Sequence, residues 1–107
     1  MYIRIDGQTI RYRISREEAD SLIDGQELTQ TTQFSDDCSL TYNITITEEA
    51  SCFSAESHNK LFLLVNRQTL ISEIEGRPSK QGIEIPTADK NNHLSVNLEI
   101  NLKNKSL

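Results

Sequence analysis

Tryptophan is absent from this chain, and the 107 residues include only two cysteines, two prolines and four glycines. Cys38 and Cys52 are not in a CxxC arrangement, so their spacing does not indicate a zinc or redox site. If the chain turns antiparallel at residues 47–49, Cys52 lies opposite Thr45 and far from Cys38, which disfavours a disulfide because disulfide geometry is demanding. We therefore expect both cysteines to be reduced and half-buried.

Long apolar runs and an excess of positive charge are missing as well. No run approaches the roughly 20 residues that a membrane-spanning helix needs. At the N-terminus, Met1–Ile5, charge and apolar residues alternate, which is not typical of a signal peptide. We expect a cytoplasmic protein without a membrane partner. The net charge of −5 and pI near 4.9 disfavour binding to a phosphate backbone, so we also expect no nucleic-acid partner.

The residue patterns of most enzyme classes are missing too. The glycines fall at turns or helix ends and do not form a phosphate-binding loop. His58 and His93 lie in polar segments without a second ligand nearby, and no Ser/His/Asp or Cys/His arrangement is indicated. We expect no cofactor, no metal and no catalytic residue.

What is present is a repeated strand–helix unit. Residues Ile10–Gly25 and Leu61–Gly76 align at a constant offset of 51. Each unit has a short apolar strand, a capping residue (Ser15, then Asn66), a brief amphipathic helix and a terminal glycine. The identical aligned pairs are Arg16/Arg67, Ser21/Ser72, Ile23/Ile74 and Gly25/Gly76. The sequence thus predicts a ββαββ pseudo-repeat.

Local patterns predict eight strands and two helices. The predicted strands are Tyr2–Asp6, Gln8–Ile14, Glu27–Phe34, Cys38–Ile46, Ser51–Glu56, Lys60–Val65, Ile83–Ile85 and Leu94–Leu102; the helices follow Ser15 and span Arg67–Glu75. Strict apolar–polar alternation is typical of half-buried antiparallel strands. We expect one α+β domain over residues 1–107, with a highly curved or barrel-like antiparallel sheet. Two short helices cannot cover a flat sheet of eight strands, so either the sheet curls or a homodimer covers the rest.

Three arginines, Arg4, Arg11 and Arg13, fall on one face of the first hairpin, whose predicted turn is Asp6-Gly7. Their guanidinium groups repel one another unless carboxylates or an anion lie nearby, and the forked geometry of arginine suits both phosphate and carboxylate. Two interpretations remain open: ion pairs with some of the sixteen acidic residues, or a site for an acidic or phosphate-containing ligand.

The same positions differ between the two units. Arg11, Tyr12 and Arg13 align with Phe62, Leu63 and Leu64. The continuous apolar run predicts that the second strand is the more deeply buried one, whereas the first keeps a basic face.

Ile3–Ile14 reads IRIDGQTIRYRI and is followed by a capped helix, by TTQF at Thr31–Phe34 and by LTY at Leu40–Tyr42. In these features the chain resembles a family of short uncharacterised bacterial proteins that begin with an IRI-x-G-x-[ST]-I-R-x-R-I hairpin. The second half departs from the family pattern, because it has no tryptophan after the second helix and no acidic–aromatic–cysteine ending. The resemblance implies no known activity.

Together these features favour a small non-enzymatic binding or protein-interaction module. Its partner would be an unknown protein or a small anionic ligand at the three arginines.

The alternative rests on an architectural resemblance to the triphosphate-tunnel (CYTH-like) barrels, which imply metal-dependent hydrolysis, although their ExExK opening is absent here. In a tunnel, Arg4, Arg11 and Arg13 would point into a polar lumen together with Glu84 or Glu99. In a binding module, the arginines would lie on an outer surface above an apolar interior.

Overall fold

A computed structural model describes residues 1–57, 59–76, 82–89 and 93–101. The elements in chain order are β1 (Tyr2–Asp6), β2 (Thr9–Ser15), α1 (Arg16–Ile23), β3 (Leu28–Ser35), β4 (Cys38–Thr47), β5 (Cys52–Ser57), β6 (Lys60–Asn66), α2 (Arg67–Glu75), β7 (Ile83–Ile85) and β8 (Ser95–Asn101). The predicted order of strands and helices is confirmed. His58 and Leu102 lie outside the described residues.

The strands divide into two four-stranded sheets. The first sheet has the order β1-β2-β8-β7 and the second has the order β3-β4-β6-β5. The central pairs, β2 with β8 and β4 with β6, are parallel, and all other neighbours are antiparallel. The α+β class is confirmed. The prediction of one continuous sheet is wrong, and the described strands do not close into a barrel.

The helices explain why two sheets form, because each one carries the chain from one sheet to the other. Ser15 ends β2 and caps α1 in a capping box with Glu18. Asn66 ends β6 and caps α2, its Oδ1 accepting a hydrogen bond of 2.9 Å from the amide of Thr69. Both predicted units therefore consist of a central strand and a crossover helix. The ββαββ pseudo-repeat stays a prediction.

An identical pair in the two units makes different contacts. Arg67 forms an ion pair of 2.7 Å with Glu48 and donates a hydrogen bond to the carbonyl of Ile23 at the end of α1. Arg16 pairs with Asp20 one turn along its own helix, at 3.4 Å. Only Arg67 links separate elements.

The inner faces of both sheets enclose one contiguous apolar core. The fully buried side chains include Tyr12, Ile14, Leu22, Ile44, Leu63, Leu70 and Leu98. The rings of Tyr12, from the first sheet, and Phe53, from the second, meet edge to face with centroids 6.5 Å apart. Burial raises the pKa of Tyr12 above its ordinary value. Its hydroxyl has no hydrogen-bond partner among the described residues.

The apolar run in β6 is buried on one side only. Leu63 and Val65 are fully buried, whereas Leu64 is 40% exposed on the outer face of the second sheet and Phe62 is half-buried beside it. The side chains of β2 alternate in the same way: Tyr12 is buried, and Arg11 and Arg13, its neighbours in the chain, are on the outer face. The prediction of deeper burial in the second unit is therefore wrong. The units differ instead in their outer faces, one basic and one apolar.

The first hairpin turns one residue later than predicted. Asp6 pairs with Thr9, which leaves Gly7-Gln8 as the two-residue loop. Gly7 has φ 59°, and positive φ at the first loop position alone is typical of a type II′ turn. Ile3 thus lies opposite Tyr12 rather than Ile10. The register moves by two residues, so each side chain keeps its predicted face.

Both cysteines are free, as predicted. Cys52 is half-buried, but Cys38 is exposed at the start of β4. Cys52 lies opposite Leu64 and not opposite Thr45, because β6 lies between β4 and β5.

Candidate anion-binding site

The three predicted site arginines share the outer face of the first sheet. Arg4 lies directly opposite Arg11, and Arg13 lies opposite Tyr2 in β1 and beside Glu99 in β8. Between them, the side chains of Ile10, Tyr12 and Ile14 enter the core. The arginines thus occupy an outer surface above an apolar interior, which is the arrangement expected of a binding module.

Arg13 already has a carboxylate partner. Its Nε lies 3.0 Å from Oε1 of Glu99, as an ion pair without the alignment of a hydrogen bond. A hydrogen bond with Tyr2, and then the charge of Glu99, raise the pKa of Arg13 above its ordinary value. Both side chains are partly exposed, so the pair stabilises the fold only weakly. Its main effect is to neutralise the Arg13 charge.

Arg4 and Arg11 have no such partner. Among the described residues, no carboxylate lies within ion-pairing distance of either guanidinium. Both side chains are exposed, and with Asp6 and Thr9 they line a depression of about 260 Å³. Like charges directly opposite each other on paired strands destabilise a sheet. This unrelieved pair of positive charges is the candidate site.

Asn97 and Glu84 continue the same row across the sheet. Asn97 in β8 is the register partner of Arg11, and Glu84 in β7 is the partner of Asn97. Glu84 is exposed, and two strand spacings, roughly 10 Å, separate its backbone from that of Arg11. The row therefore runs from a positive end on β1 and β2, through a neutral amide, to a negative end on β7.

Glu84 and Glu99, the carboxylates that a tunnel would place in its lumen, do not form a joint site. Glu99 pairs with Arg13, and Glu84 lies opposite Asn97 rather than opposite Glu99. No group of three or more His, Cys, Asp or Glu side chains in the described part of the chain is placed to hold a metal ion.

Comparison with known proteins places the chain in a family. One family model matches residues 1–104, nearly the whole length. The chain belongs to DUF7009, a family of unknown function. The resemblance to an uncharacterised family, predicted from the first hairpin, the capped helix and the segments Thr31–Phe34 and Leu40–Tyr42, is thereby confirmed. Searches of curated proteins and of solved structures gave no match. Neither α1 nor α2 of the DUF7009 chain is long and apolar enough to cross a membrane.

The sequence indicated the three arginines, but it did not indicate which residues lie beside them on β8. Glu99 pairs with Arg13, and Asn97 lies in register with Arg11, only because β8 pairs with β2 in parallel. These strands lie far apart in the chain, and no local pattern in this DUF7009 sequence indicates that they are neighbours.

A second depression, of about 240 Å³, lies beside Arg13 and contains a contact that sequence reasoning also missed. The ammonium of Met1 lies 2.6 Å from Oε2 of Glu18, while Oε1 accepts a hydrogen bond of 2.9 Å from the amide of Ser15. Burial acts to raise the pKa of Glu18, but the ammonium and the Ser15 contacts outweigh it, so the pKa is lowered.

The contacts of Glu18 predict a pH-dependent stability. Since the pKa is lowered on folding, the carboxylate stabilises the fold above its unfolded pKa of about 4.3 and loses this effect as the pH falls below that value. Glu18→Gln should lower the free energy of unfolding by about 1–2 kcal/mol at pH 7. The difference from wild type, measured by urea unfolding at pH 7, 5 and 3, should shrink towards pH 3.

The neighbouring exposed residue Glu17 provides the control. Its change to glutamine removes the same charge from the first turn of α1 without removing the ammonium or Ser15 contacts. A pH profile of Glu18→Gln that runs parallel to wild type would contradict the assignment.

Proposed function

We propose that this protein is a small non-enzymatic binding module that binds an anionic ligand, through a phosphate or carboxylate group, between Arg4 and Arg11. The observation that carries the proposal is that Arg4 and Arg11 are register partners on paired strands, and that their side chains are exposed and have no carboxylate partner among the described residues. An anion bound by both would remove their repulsion and form charge-assisted hydrogen bonds.

The geometry of the pair supports such binding. Register partners in an antiparallel ladder have Cα atoms about 4.5–5.5 Å apart, so two long arginine side chains can converge on one small group. The Thr9 hydroxyl lines the same depression, and the Asn97 amide lies on the next strand. These groups supply uncharged donors beside the cations. Arg13 is left out of the proposed site because Glu99 neutralises it.

The surroundings favour a small ligand over a polyanion. Asp6 lines the depression, and the chain has a net charge of −5, so a long phosphate polymer meets repulsion outside the two arginines. The side chains of Arg4, Asp6 and Arg11 that line the depression are exposed, so a ligand there stays in contact with water. Catalysis generally relies on excluding water from the reacting groups, so this setting supports binding rather than turnover.

Ligand-dependent thermal unfolding tests the proposal. Inorganic phosphate and malonate serve as probes, each added at constant ionic strength. A dissociation constant of about 1 mM would stabilise wild type by about 1.8 kcal/mol at 20 mM probe. Arg4→Gln and Arg11→Gln should each abolish this stabilisation. Without probe, each variant should be at least as stable as wild type, because the like-charge pair is gone.

Arg16→Gln is the matched control. It removes one exposed arginine from α1, away from the sheet face, and should keep the full response to the probe. Absence of stabilisation in wild type by both probes would overturn the proposal. So would equal stabilisation of wild type and the two sheet variants.

A further inference from the structure

The edge strands of the two sheets are protected to very different degrees. An edge strand presents unpaired backbone groups that can pair with another chain, and natural proteins block such edges with charge, short length, bulges or covering segments. In the first sheet, β1 carries Arg4 and Asp6, and β7 has only three residues. Neither edge offers a long uncharged strand.

The β5 edge of the second sheet is covered by another part of the chain. The amide of Phe53 donates to the carbonyl of Pro86, and the amide of Ala88 donates to the carbonyl of Phe53, both at 2.8 Å. Further along, β5 carries Glu56 and a register shift between Ala55 and Ser57. This edge is occupied at one end and irregular at the other.

The β3 edge has none of these protections over most of its length. Its sequence, LTQTTQFS, has no charged residue and no proline, and seven of its eight residues are exposed. Its only irregularity is a register shift between Gln33 and Ser35, at the tip of the hairpin. In the described part of the chain, no strand or loop pairs with its outer side.

We propose that two copies of this chain pair antiparallel through β3, about a two-fold axis at Thr31, and so join their second sheets into one continuous eight-stranded sheet. A two-fold axis perpendicular to the sheet keeps each side chain on its own face, so residues of the same parity lie opposite each other. At this axis Thr31 meets Thr31 of the other copy. The flanking pairs are Thr29 with Gln33 and Gln30 with Thr32.

The chemistry of the strand suits a second copy of itself. All these pairs are uncharged, and threonine pairs across strands are stabilising. The same register brings Phe34, 63% exposed, beside the partly buried Leu28 of the other copy. Each dimer would cover two such rings. The interface is small and each copy has a net charge of −5, so the dimer should be weak and should form only at high protein concentration.

Sedimentation velocity from about 10 µM to about 1 mM tests the proposal, since small interfaces give weak dimers. The mass of wild type should rise from 12.2 kDa towards twice that value. Thr31→Lys places two ammonium groups opposite each other at the axis and should weaken association at least tenfold. A wild type that stays at 12.2 kDa throughout would overturn the proposal and leave the edge to another protein.

Thr41→Lys is the control for the charge and for the lost hydroxyl contact. Thr31 and Thr41 share one side-chain hydrogen bond, with oxygens 2.9 Å apart, so both variants lose it and gain one lysine. Thr41 lies in β4, and its two copies would stand three strand spacings apart, about 14 Å, beyond the Debye length of about 10 Å at 0.1 M salt. Thr41→Lys should dimerise like wild type. Equal association, or equal loss of association, in the two variants would overturn the proposal.

Cross-linking gives a second measurement that does not depend on how well a lysine is tolerated. In a Cys38→Ser/Cys52→Ser background, Thr31→Cys should form a disulfide between copies, since the two positions meet at the axis. Gln33→Cys should not, because Gln33 lies opposite Thr29 of the other copy. Cross-linking of Gln33→Cys equal to that of Thr31→Cys would overturn the proposed register and axis.

Discussion

Replacing Gly82 by alanine should lower the free energy of unfolding by about 2–5 kcal/mol, the sum of a backbone and a packing cost. Gly82 precedes β7 with φ 78°, a conformation that costs other residues about 1–2 kcal/mol. A Cβ there would stand 2.4 Å from the backbone oxygen of Leu98. Neither atom is on a flexible side chain, so β7 must move away from β8. Urea unfolding followed by circular dichroism measures the change.

Gly25→Ala separates the two causes. Gly25 also has positive φ, at 99°, but nothing lies within 4 Å of a Cβ at that position. We expect a loss of only about 1–2 kcal/mol there, from the backbone alone. Equal losses at both glycines would show that the close approach of Gly82 to β8 has no energetic consequence.

Leu63→Ala is the other change with a large expected effect, a loss of about 2–5 kcal/mol of unfolding free energy. Leu63 is fully buried in β6, opposite Ile44 on one side and Phe53 on the other. Because β6 is a central strand, it is hydrogen-bonded to β4 on one side and to β5 on the other, and these ladders keep the neighbouring strands from collapsing into the space. The lost contacts therefore leave a cavity. Thermal and urea unfolding should both report it.

Leu64→Ala is the matched control, one residue along the same strand. Leu64 points to the outer face and is 40% exposed, so its truncation should cost less than about 1 kcal/mol. A comparable loss at both positions would contradict the sidedness of β6.

Local signals in the sequence predicted the elements well. Ser15 with Glu18, and Asn66 with Gly76, mark helix ends through hydrogen bonds within a few residues, so α2 has its predicted bounds. The common face of the arginines also followed, because alternation along a strand does not depend on the exact turn. The shift of the turn to Gly7-Gln8 left it intact.

Pairing between distant strands could not be predicted in the same way. Alternation in β8, with Val96, Leu98 and Ile100 buried, predicted an antiparallel strand. Alternation shows only that one face of a strand is covered and says nothing of the direction of its neighbours. The outer face of the first sheet is open, although β8 runs parallel to β2. The continuous apolar run in β6 led to the wrong prediction of deeper burial, because an apolar side chain is not necessarily a buried one. Phe62 and Leu64 are apolar, yet they lie on an outer face.

In the candidate site, too, the features set by local sequence were predicted and those set by pairing between distant strands were not. Arg4 and Arg11 were predicted to share a face and do so. Which arginine would be neutralised depended on Glu99, which reaches Arg13 only through the β2–β8 ladder. The proposed site therefore contains two of the three candidate arginines.

The division of strands between the sheets also sets an order of assembly. The second sheet is built from one continuous stretch, residues 28–66, whereas the first pairs Thr9 with Ser95, 86 positions along the chain. Contacts between nearby segments form faster than those that close long loops. Until β8 pairs with it, β2 is an open edge strand whose inner face is apolar. We therefore expect the strand that carries Arg11 to gain its last neighbour late, so that the proposed binding face is completed only when β8 pairs with β2.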